Sequence, residues 1–311
     1  PYNKVKRPGV HKLACMQAIA CGSDTAQYFQ WRKGRGSFEQ YHGAVVDHLG
    51  KDDTRIFREV AEVGALLKKI APAAGTLVKA KTALLFDWDN RWAIQDVKAL
   101  SENTKNYEKT CIGIWKEFQK LGVEMDVVSS NDDLSDYKVV VAPMLYLLQS
   151  GTAENLQKFV KNGGQLLATY FTGYVDKDTL CYLGGFPGDG LAELFGVISE
   201  EIDTLYPSDR NSLCFLDGKK WTVYDYAEIL RVQDAQILAS YGTDFYEGSA
   251  ALTVKEWESD THTGENGRAY YIAARVAPEE MGSLFETMLA NAGIAVKDLP
   301  GEVEYHQRQG E

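Results

Sequence analysis

Gly163-Gly164-Gln165-Leu166-Leu167-Ala168-Thr169 joins the end of a predicted helix to a predicted strand. Thr152 to Val160, just before the glycines, has the composition of a helix. Glycine commonly follows a helix because it tolerates the left-handed backbone that ends one. The run from Leu166 to Ala168 is apolar without alternation, which is typical of a strand that is buried on both faces. The stretch therefore predicts an α/β fold with a parallel sheet.

The same rhythm of short apolar runs and helical segments continues on both sides of this stretch. Further strands are predicted at Thr82 to Phe86, Val123 to Val128, Val139 to Ala142, Ala235 to Ser240, Ala250 to Lys255 and Ala269 to Ala274. Tyr107 to Leu121 is predicted as an intervening helix and Pro278 to Ala292 as a closing helix, with Pro278 near its first turn. These elements indicate a three-layer domain, with helices on both faces of the sheet, over residues 80–295.

The first 75 residues have a different organisation and end in a linker at Pro72 to Gly75. His11 to Ala20 is compatible with a short helix, and Thr25 to Trp31 is predicted as a strand. Asp52 to Thr54 offers N-cap residues for a long helix. The apolar residues of that helix recur at steps of three and four: Ile56, Val60, Val63, Leu67 and Ile70. This order is how a (β/α)8 barrel closes, and in such barrels the loops after the strands carry the chemistry.

The amino-acid composition limits the possible binding partners of the protein and its cellular compartment. The 311 residues carry a formal net charge of −11 with no Lys/Arg cluster, which argues against nucleic-acid binding. No apolar run is long enough to span a membrane. The five cysteines are scattered, odd in number and never spaced Cys-x-x-Cys, which favours reduced thiols in a cytoplasmic protein over disulfides or a zinc site.

The predicted loop after Trp31-Arg32 contains a carboxylate and an imidazole, Glu39 and His42, three residues apart. At the end of a barrel strand, such a pair suits the binding of sugar hydroxyls, because a misplaced hydroxyl would leave both groups unpaired. The ordinary explanation is a solvated loop acid and a structural histidine. The residues alone leave both interpretations open.

Two other chemistries find little support in the sequence. Retaining glycoside hydrolysis needs two carboxyl groups about 5–5.5 Å apart, and Asp87 and Asp89 follow the first strand of the second domain, where a structural role is favoured. An amidotransferase would need a cysteine on a sharp turn after a strand, with a histidine and a glutamate downstream. Cys181 has no glycine or strand before it, Cys111 lies in a predicted helix, and His262 lies in a polar run.

The glycines from Gly184 to Gly190 have the wrong spacing for a phosphate-binding loop.

The chain resembles the family 42 glycoside hydrolases, the β-galactosidases. The resemblance rests on Trp31-Arg32 with Glu39-Gln40-Tyr41-His42, on Phe86 to Trp92, on Ala142 to Tyr146 and on Tyr170 to Gly173. It implies that residues 1–75 are the C-terminal end of a (β/α)8 catalytic barrel. Residues 80–295 would be an α/β trimerisation domain of the class I glutamine-amidotransferase (flavodoxin-like) fold. Residues 296–311 would begin a small C-terminal β domain.

The resemblance also implies a function for the intact protein: a retaining β-galactosidase that hydrolyses terminal non-reducing β-D-galactosides as a cytoplasmic homotrimer, without a metal or other cofactor. Glu39 and His42 match galactose-binding residues of the family, and Trp31 and Arg32 match its pattern, with Arg32 expected to orient a neighbouring carboxylate. Both catalytic glutamates, the acid/base and the nucleophile, would lie upstream of residue 1, so this chain alone is expected to be an inactive fragment. The alternative is a non-catalytic oligomerisation or sugar-binding module of amidotransferase-like fold.

Overall fold

The computed structural model describes residues 4–98, 101–102, 105–259, 266–301 and 303–310. The α-helices are α1 (Val10–Ala20), α2 (Arg55–Lys69), α3 (Trp88–Asp96), α4 (Tyr107–Lys120), α5 (Thr152–Lys161), α6 (Leu191–Phe195) and α7 (Gly282–Asn291). The strands are β1 (Leu77–Val78), β2 (Thr82–Leu85), β3 (Met125–Val128), β4 (Val139–Ala142), β5 (Gln165–Thr169), β6 (Val197–Thr204), β7 (Asn211–Phe215), β8 (Lys220–Val232), β9 (Gln236–Tyr241), β10 (Ala250–Trp257), β11 (Gly267–Ile272), β12 (Ala274–Val276) and β13 (Arg308–Gln309). Short 3₁₀ helices cover Ser37–Tyr41, Ala71–Ala73 and Pro278–Met281. No helix among the described residues is long and apolar enough to cross a membrane.

The chain divides into two compact units, Pro1–Lys79 with His306–Glu311, and Ala80–Tyr305. In the smaller unit, α1 and α2 pack through a small core of Cys15, Ile19 and Val63. Strand β13 pairs antiparallel with β1. The Arg308 guanidinium fixes this pairing by donating hydrogen bonds to backbone carbonyls of α1 and the following turn, to Thr76 and to the Asp24 carboxylate. Strand β13 is therefore held against the smaller unit by the Arg308 side chain.

Helix α2 begins where its sequence predicts. The Thr54 hydroxyl accepts a hydrogen bond from the Phe57 backbone N–H at 3.3 Å, which satisfies one of the free donors of the first turn. We expect Thr54→Ala to lower the free energy of unfolding of the smaller unit by about 1 kcal/mol. Urea unfolding of the 311-residue chain, followed by hydrogen exchange in α2, measures this loss. Thr54→Ser keeps the hydroxyl and serves as the control; an equal loss in both variants would contradict the capping role.

The larger unit is built on a mixed sheet that has eleven strands in the described residues. One half is parallel, in the order β3-β2-β4-β5-β11. The other half continues antiparallel from β11 through β10, β9, β7 and β8 to β12, and β6 also pairs with β8. The expected α/β architecture is confirmed, but the sheet is mixed rather than wholly parallel.

Helices cover both faces of the parallel half. On one face, α4 and α7 pack through residues such as Phe118 and Phe285, whose ring centroids are 4.9 Å apart. On the other face, α5 and α6 contribute Leu156 and Phe195 to a second core. The predicted strands and helices of this half are present with ends that shift by a few residues at most. The predicted closing helix is divided, since Pro278–Met281 is a 3₁₀ turn and α7 begins only at Gly282.

One predicted strand is absent from the structure. Thr25 to Trp31 is not a strand: among the described residues, this region has an isolated bridge between Arg32 and Val46. A strand needs a neighbour along its length to pair its backbone groups. Here the backbone pairing that the described part of the chain shows is confined to the end of the segment, where the Val45 and Val46 N–H groups donate to Gln30 and Trp31.

Candidate functional site

The loop that carries Glu39 and His42 is closed at its base by backbone hydrogen bonds. The Val46 N–H donates to the Trp31 carbonyl at 2.8 Å, and the Lys33 N–H donates to the Val46 carbonyl at 2.9 Å. The His48 ring Nε2 lies 2.8 Å from the Gly34 carbonyl and adds a contact across the loop. Although Thr25 to Trp31 is not a strand, these contacts fix both ends of the loop.

Glu39 and His42 lie on one tight turn. Glu39 belongs to the 3₁₀ helix Ser37–Tyr41, and the His42 N–H donates to the Glu39 carbonyl at 3.1 Å. Both residues are exposed. No hydrogen bond or ion pair engages either side chain within the described part of the chain, so both are free to bind a ligand. The structure thus places the two predicted residues on the same turn.

Trp31 and Arg32 lie where this loop begins. The Trp31 side chain is 63% exposed and contacts Phe57 of α2 edge-on, with ring centroids 6.1 Å apart. Arg32 is exposed and its backbone forms the bridge to Val46. No contact recorded within residues 4–98 joins either side chain to Glu39 or His42. The exposed Trp31 ring thus lies at the residue where the loop begins, and it does not contact Glu39 or His42 directly.

The two aspartates that follow β2 are engaged in contacts within the larger unit. The Asp87 carboxylate accepts hydrogen bonds from the Ser129 hydroxyl at 2.6 Å and from the Ser130 N–H at 3.2 Å. It therefore joins the ends of β2 and β3. The Asp89 carboxylate accepts a hydrogen bond from the Gln149 side chain at 2.7 Å. Asp87 is thus a structural residue.

In the part of the larger unit that the structure describes, the turns after β4 and β5 do not carry the cysteine that an amidotransferase would need. The turns after β4 and β5 contain Met144 and Phe171, which have positive φ values of 45° and 68° and are fully buried. A nucleophile elbow has such a strained turn after a strand, but here its residues are apolar. Burial raises the pKa of the Cys111 thiol to about 12, and Cys181 lies on an isolated bridge with Val175. His262 lies outside the described residues.

A buried carboxylate in β8 was not predicted from the sequence. Glu228 is fully buried and accepts hydrogen bonds from the Phe171 N–H at 2.9 Å, the Tyr174 hydroxyl at 2.8 Å and the Tyr271 hydroxyl at 2.7 Å. Burial raises the pKa of Glu228 to about 7, although these three donors act against the rise. The signal in the sequence is a single glutamate within Tyr226-Ala227-Glu228-Ile229-Leu230.

Both units match families of known proteins. Residues 1–70 match the family model for β-galactosidase, and residues 80–295 match the model for the β-galactosidase trimerisation domain. The chain belongs to glycoside hydrolase family 42. Membership is thus shown by matches in both units, and the resemblance predicted from the sequence is confirmed.

Characterised members of the family are similar over the whole chain. The chain is 43% identical to β-galactosidase BglY of Alicyclobacillus acidocaldarius over 99% of its own length, and 42% identical to β-galactosidase Pbg of Clostridium perfringens over 100%. The crystal structure of a cold-adapted β-galactosidase from Rahnella sp. is 39% identical, covers 99% of this chain and superposes with a TM-score of 0.90. The chain spans about 45% of the length of BglY and Pbg and 46% of the Rahnella structure.

Proposed function

We propose that this chain is part of a retaining β-galactosidase that hydrolyses terminal non-reducing β-D-galactosides. In this proposal residues 1–75 form the end of the catalytic (β/α)8 barrel, residues 80–295 form the trimerisation domain, and residues 296–311 begin a small C-terminal β domain. The observation that carries it is the match of both units, in the order barrel then trimerisation domain, to β-galactosidases. The exposed Glu39–His42 turn gives the barrel portion a site suited to a sugar.

Glu39 and His42 would bind hydroxyl groups of the galactose ring. A carboxylate accepts hydrogen bonds and an imidazole can donate one, so together they distinguish the orientation of neighbouring hydroxyls. Their side chains have no partner within the described residues, and the turn holds their backbones one hydrogen bond apart. Trp31 would offer an aromatic face, and Arg32 would orient a neighbouring carboxylate.

The two reacting carboxyl groups would lie upstream of residue 1. Retaining hydrolysis uses an acid/base and a nucleophile about 5–5.5 Å apart. Asp87 is held by backbone and serine contacts, and Asp89 bonds to Gln149, so neither is proposed for these roles. The chain alone would therefore be inactive. The chemistry of double displacement requires no metal or other cofactor.

The larger unit would assemble the enzyme as a homotrimer. The family model over residues 80–295 describes a trimerisation domain. Two helical layers around a parallel half-sheet support the flavodoxin-like, amidotransferase-related class, with the antiparallel half added to it. None of the five cysteines, all of which are among the described residues, forms a disulfide, which supports a cytoplasmic location.

The direct test is the DNA on both sides of this coding region, followed by an assay of the complete product. We expect an in-frame barrel with a glutamate shortly before Pro1, and hydrolysis of 4-nitrophenyl β-D-galactoside by that product but not by the 311-residue chain. A stop codon followed by a start near Pro1 would contradict the proposal. It would favour the alternative, a non-catalytic oligomerisation or sugar-binding module.

A further inference from the structure

The parallel half of the sheet has a switch point between β2 and β4. From β2 the chain continues through α3 and α4 to β3 on one side, whereas β4 lies on the other side and continues through α5 to β5. Helices α4 and α5 cover opposite faces of the sheet. In open α/β sheets, ligands bind in the crevice outside the carboxyl ends of the strands at such a point.

A cleft lies at this position. It has a volume of about 710 Å³ and is lined by α3, which follows β2, and by the segment that follows β4. A volume of this size is in the range of about 300–1,000 Å³ that small-molecule sites occupy. Lys177, from the segment after β5, also lines the cleft. The lining therefore comes from the carboxyl ends of three neighbouring strands.

The wall of the cleft is fixed by a buried amide. Asn90 of α3 is fully buried, donates to the Met144 carbonyl at 3.0 Å and accepts from the Leu147 N–H at 2.9 Å. These two hydrogen bonds join α3 to the segment after β4, so the two walls keep a constant separation. A ligand would meet a site that is already formed, which lowers the entropic cost of binding.

The exposed groups of the cleft are of the kind that bind sugars. Trp92 is 55% exposed and offers an aromatic face. The Asp89 carboxylate accepts the Gln149 amide at 2.7 Å through one oxygen, which leaves its other oxygen and the second amide N–H of Gln149 for a ligand. Asp96 adds an acceptor at the rim, and Lys177, which already donates to Asp178, has further N–H groups there. Alternating hydrogen-bond donors and acceptors beside an aromatic ring match a polyhydroxylated ring.

The charges of the cleft argue against phosphate-bearing ligands. Asp89 and Asp96 repel phosphate groups, and no glycine-rich phosphate loop is among the described residues that line the cleft. The Lys177 ammonium is paired with the Asp178 carboxylate at 2.7 Å, so a cation is the competing ligand class. We propose that this cleft binds a neutral saccharide, with one ring against Trp92 and its hydroxyl groups bound by Asp89 and Gln149. The inference goes beyond the proposed hydrolase function, because none of its residues belongs to the Glu39–His42 turn.

The test measures saccharide binding to the complete 311-residue chain by saturation-transfer NMR and tryptophan fluorescence, with D-galactose and lactose as probes. We expect Trp92→Ala and Asp89→Asn each to weaken binding at least tenfold. Phe245→Ala is the control, since Phe245 is an exposed aromatic residue of the same unit (76%) and does not line the cleft; Trp88 is unsuitable because its ring contacts that of Trp92. The Phe245→Ala variant should bind as the unmodified chain does.

A further variant separates this site from the proposed galactose-binding turn. Glu39→Ala should leave the Trp92-dependent signal intact. If Glu39→Ala removed all binding while Trp92→Ala had no effect, the inference would be overturned and the proposed function would stand. Equal losses in Phe245→Ala and Trp92→Ala, displacement of the signal by spermidine or inorganic phosphate, or no binding of either saccharide would also overturn it.

Discussion

Replacing Glu39 with Gln in the complete enzyme is expected to lower kcat/KM for 4-nitrophenyl β-D-galactoside by about 100-fold. The carboxylate is proposed to accept a hydrogen bond from a ring hydroxyl, and an amide of the same shape presents an N–H donor in place of one acceptor oxygen. The change thus leaves a mismatched donor and a weakened hydrogen bond in the bound state. Steady-state kinetics and light scattering of the same preparation measure turnover and assembly separately.

Glu62→Gln is the matched control for this prediction. Glu62 is an exposed carboxylate on α2, outside the loop, so the same chemical change there should leave kcat/KM unaltered. A panel of deoxygalactosides adds a stricter criterion. With the substrate that lacks the hydroxyl bound by Glu39, the variant and the original enzyme should differ little, because the interaction is already absent. Normal kinetics of Glu39→Gln with intact galactosides would contradict the proposed role of Glu39 in binding a ring hydroxyl.

The fold could be predicted where strands are buried on both faces. β2, β4 and β5 are short apolar runs without alternation, and the structure places all three in the parallel half of the sheet. In the antiparallel half, β9 and β10 are predicted from the sequence, whereas β6, β7, β8 and β12 are not. In β6 and β8 buried and exposed positions are mixed, so no continuous apolar run marks these strands. Helix α3 was also missed, since its two exposed tryptophans blur its apolar face.

In the candidate sites, contacts between residues that are close in the sequence could be predicted, and contacts between distant residues could not. Glu39 and His42 are close in sequence, and a single turn brings them together, so their proximity could be predicted. Asp89 and Gln149 are 60 residues apart and meet only because β2 and β4 are neighbours in the sheet. The Glu228 cluster likewise depends on pairing across the fold. A sequence without knowledge of strand order does not reveal such contacts.

Stability of the larger unit is expected to fall as the pH rises from about 4.5 to about 7, because of Glu228. Burial favours the neutral carboxyl group and raises its pKa from 4.5 to about 7. Between these values the folded state holds a proton that the unfolded state has lost, so raising the pH favours unfolding. This difference in pKa corresponds to a loss of roughly 3 kcal/mol in the free energy of unfolding between pH 4.5 and pH 7. Above pH 7 this contribution should be constant.

Two variants separate the charge of Glu228 from its hydrogen bonds. Glu228→Gln cannot ionise; its carbonyl can accept from Phe171 and Tyr174, and its amide can donate to the Tyr271 hydroxyl, so its stability should lack the decline between pH 4.5 and 7. Near pH 4.5, Glu228→Ala should lose about 4 kcal/mol, since it leaves the Phe171 N–H and the Tyr271 hydroxyl without a partner and opens a cavity. Above pH 7 the loss relative to the original chain should shrink to roughly 1 kcal/mol, because the original chain then bears the cost of the buried charge. Urea unfolding from pH 4.5 to 8.5, with hydrogen exchange of β8 peptides to identify the unit, measures both effects. Parallel pH profiles for the original chain and Glu228→Gln would show that Glu228 is not the titrating group.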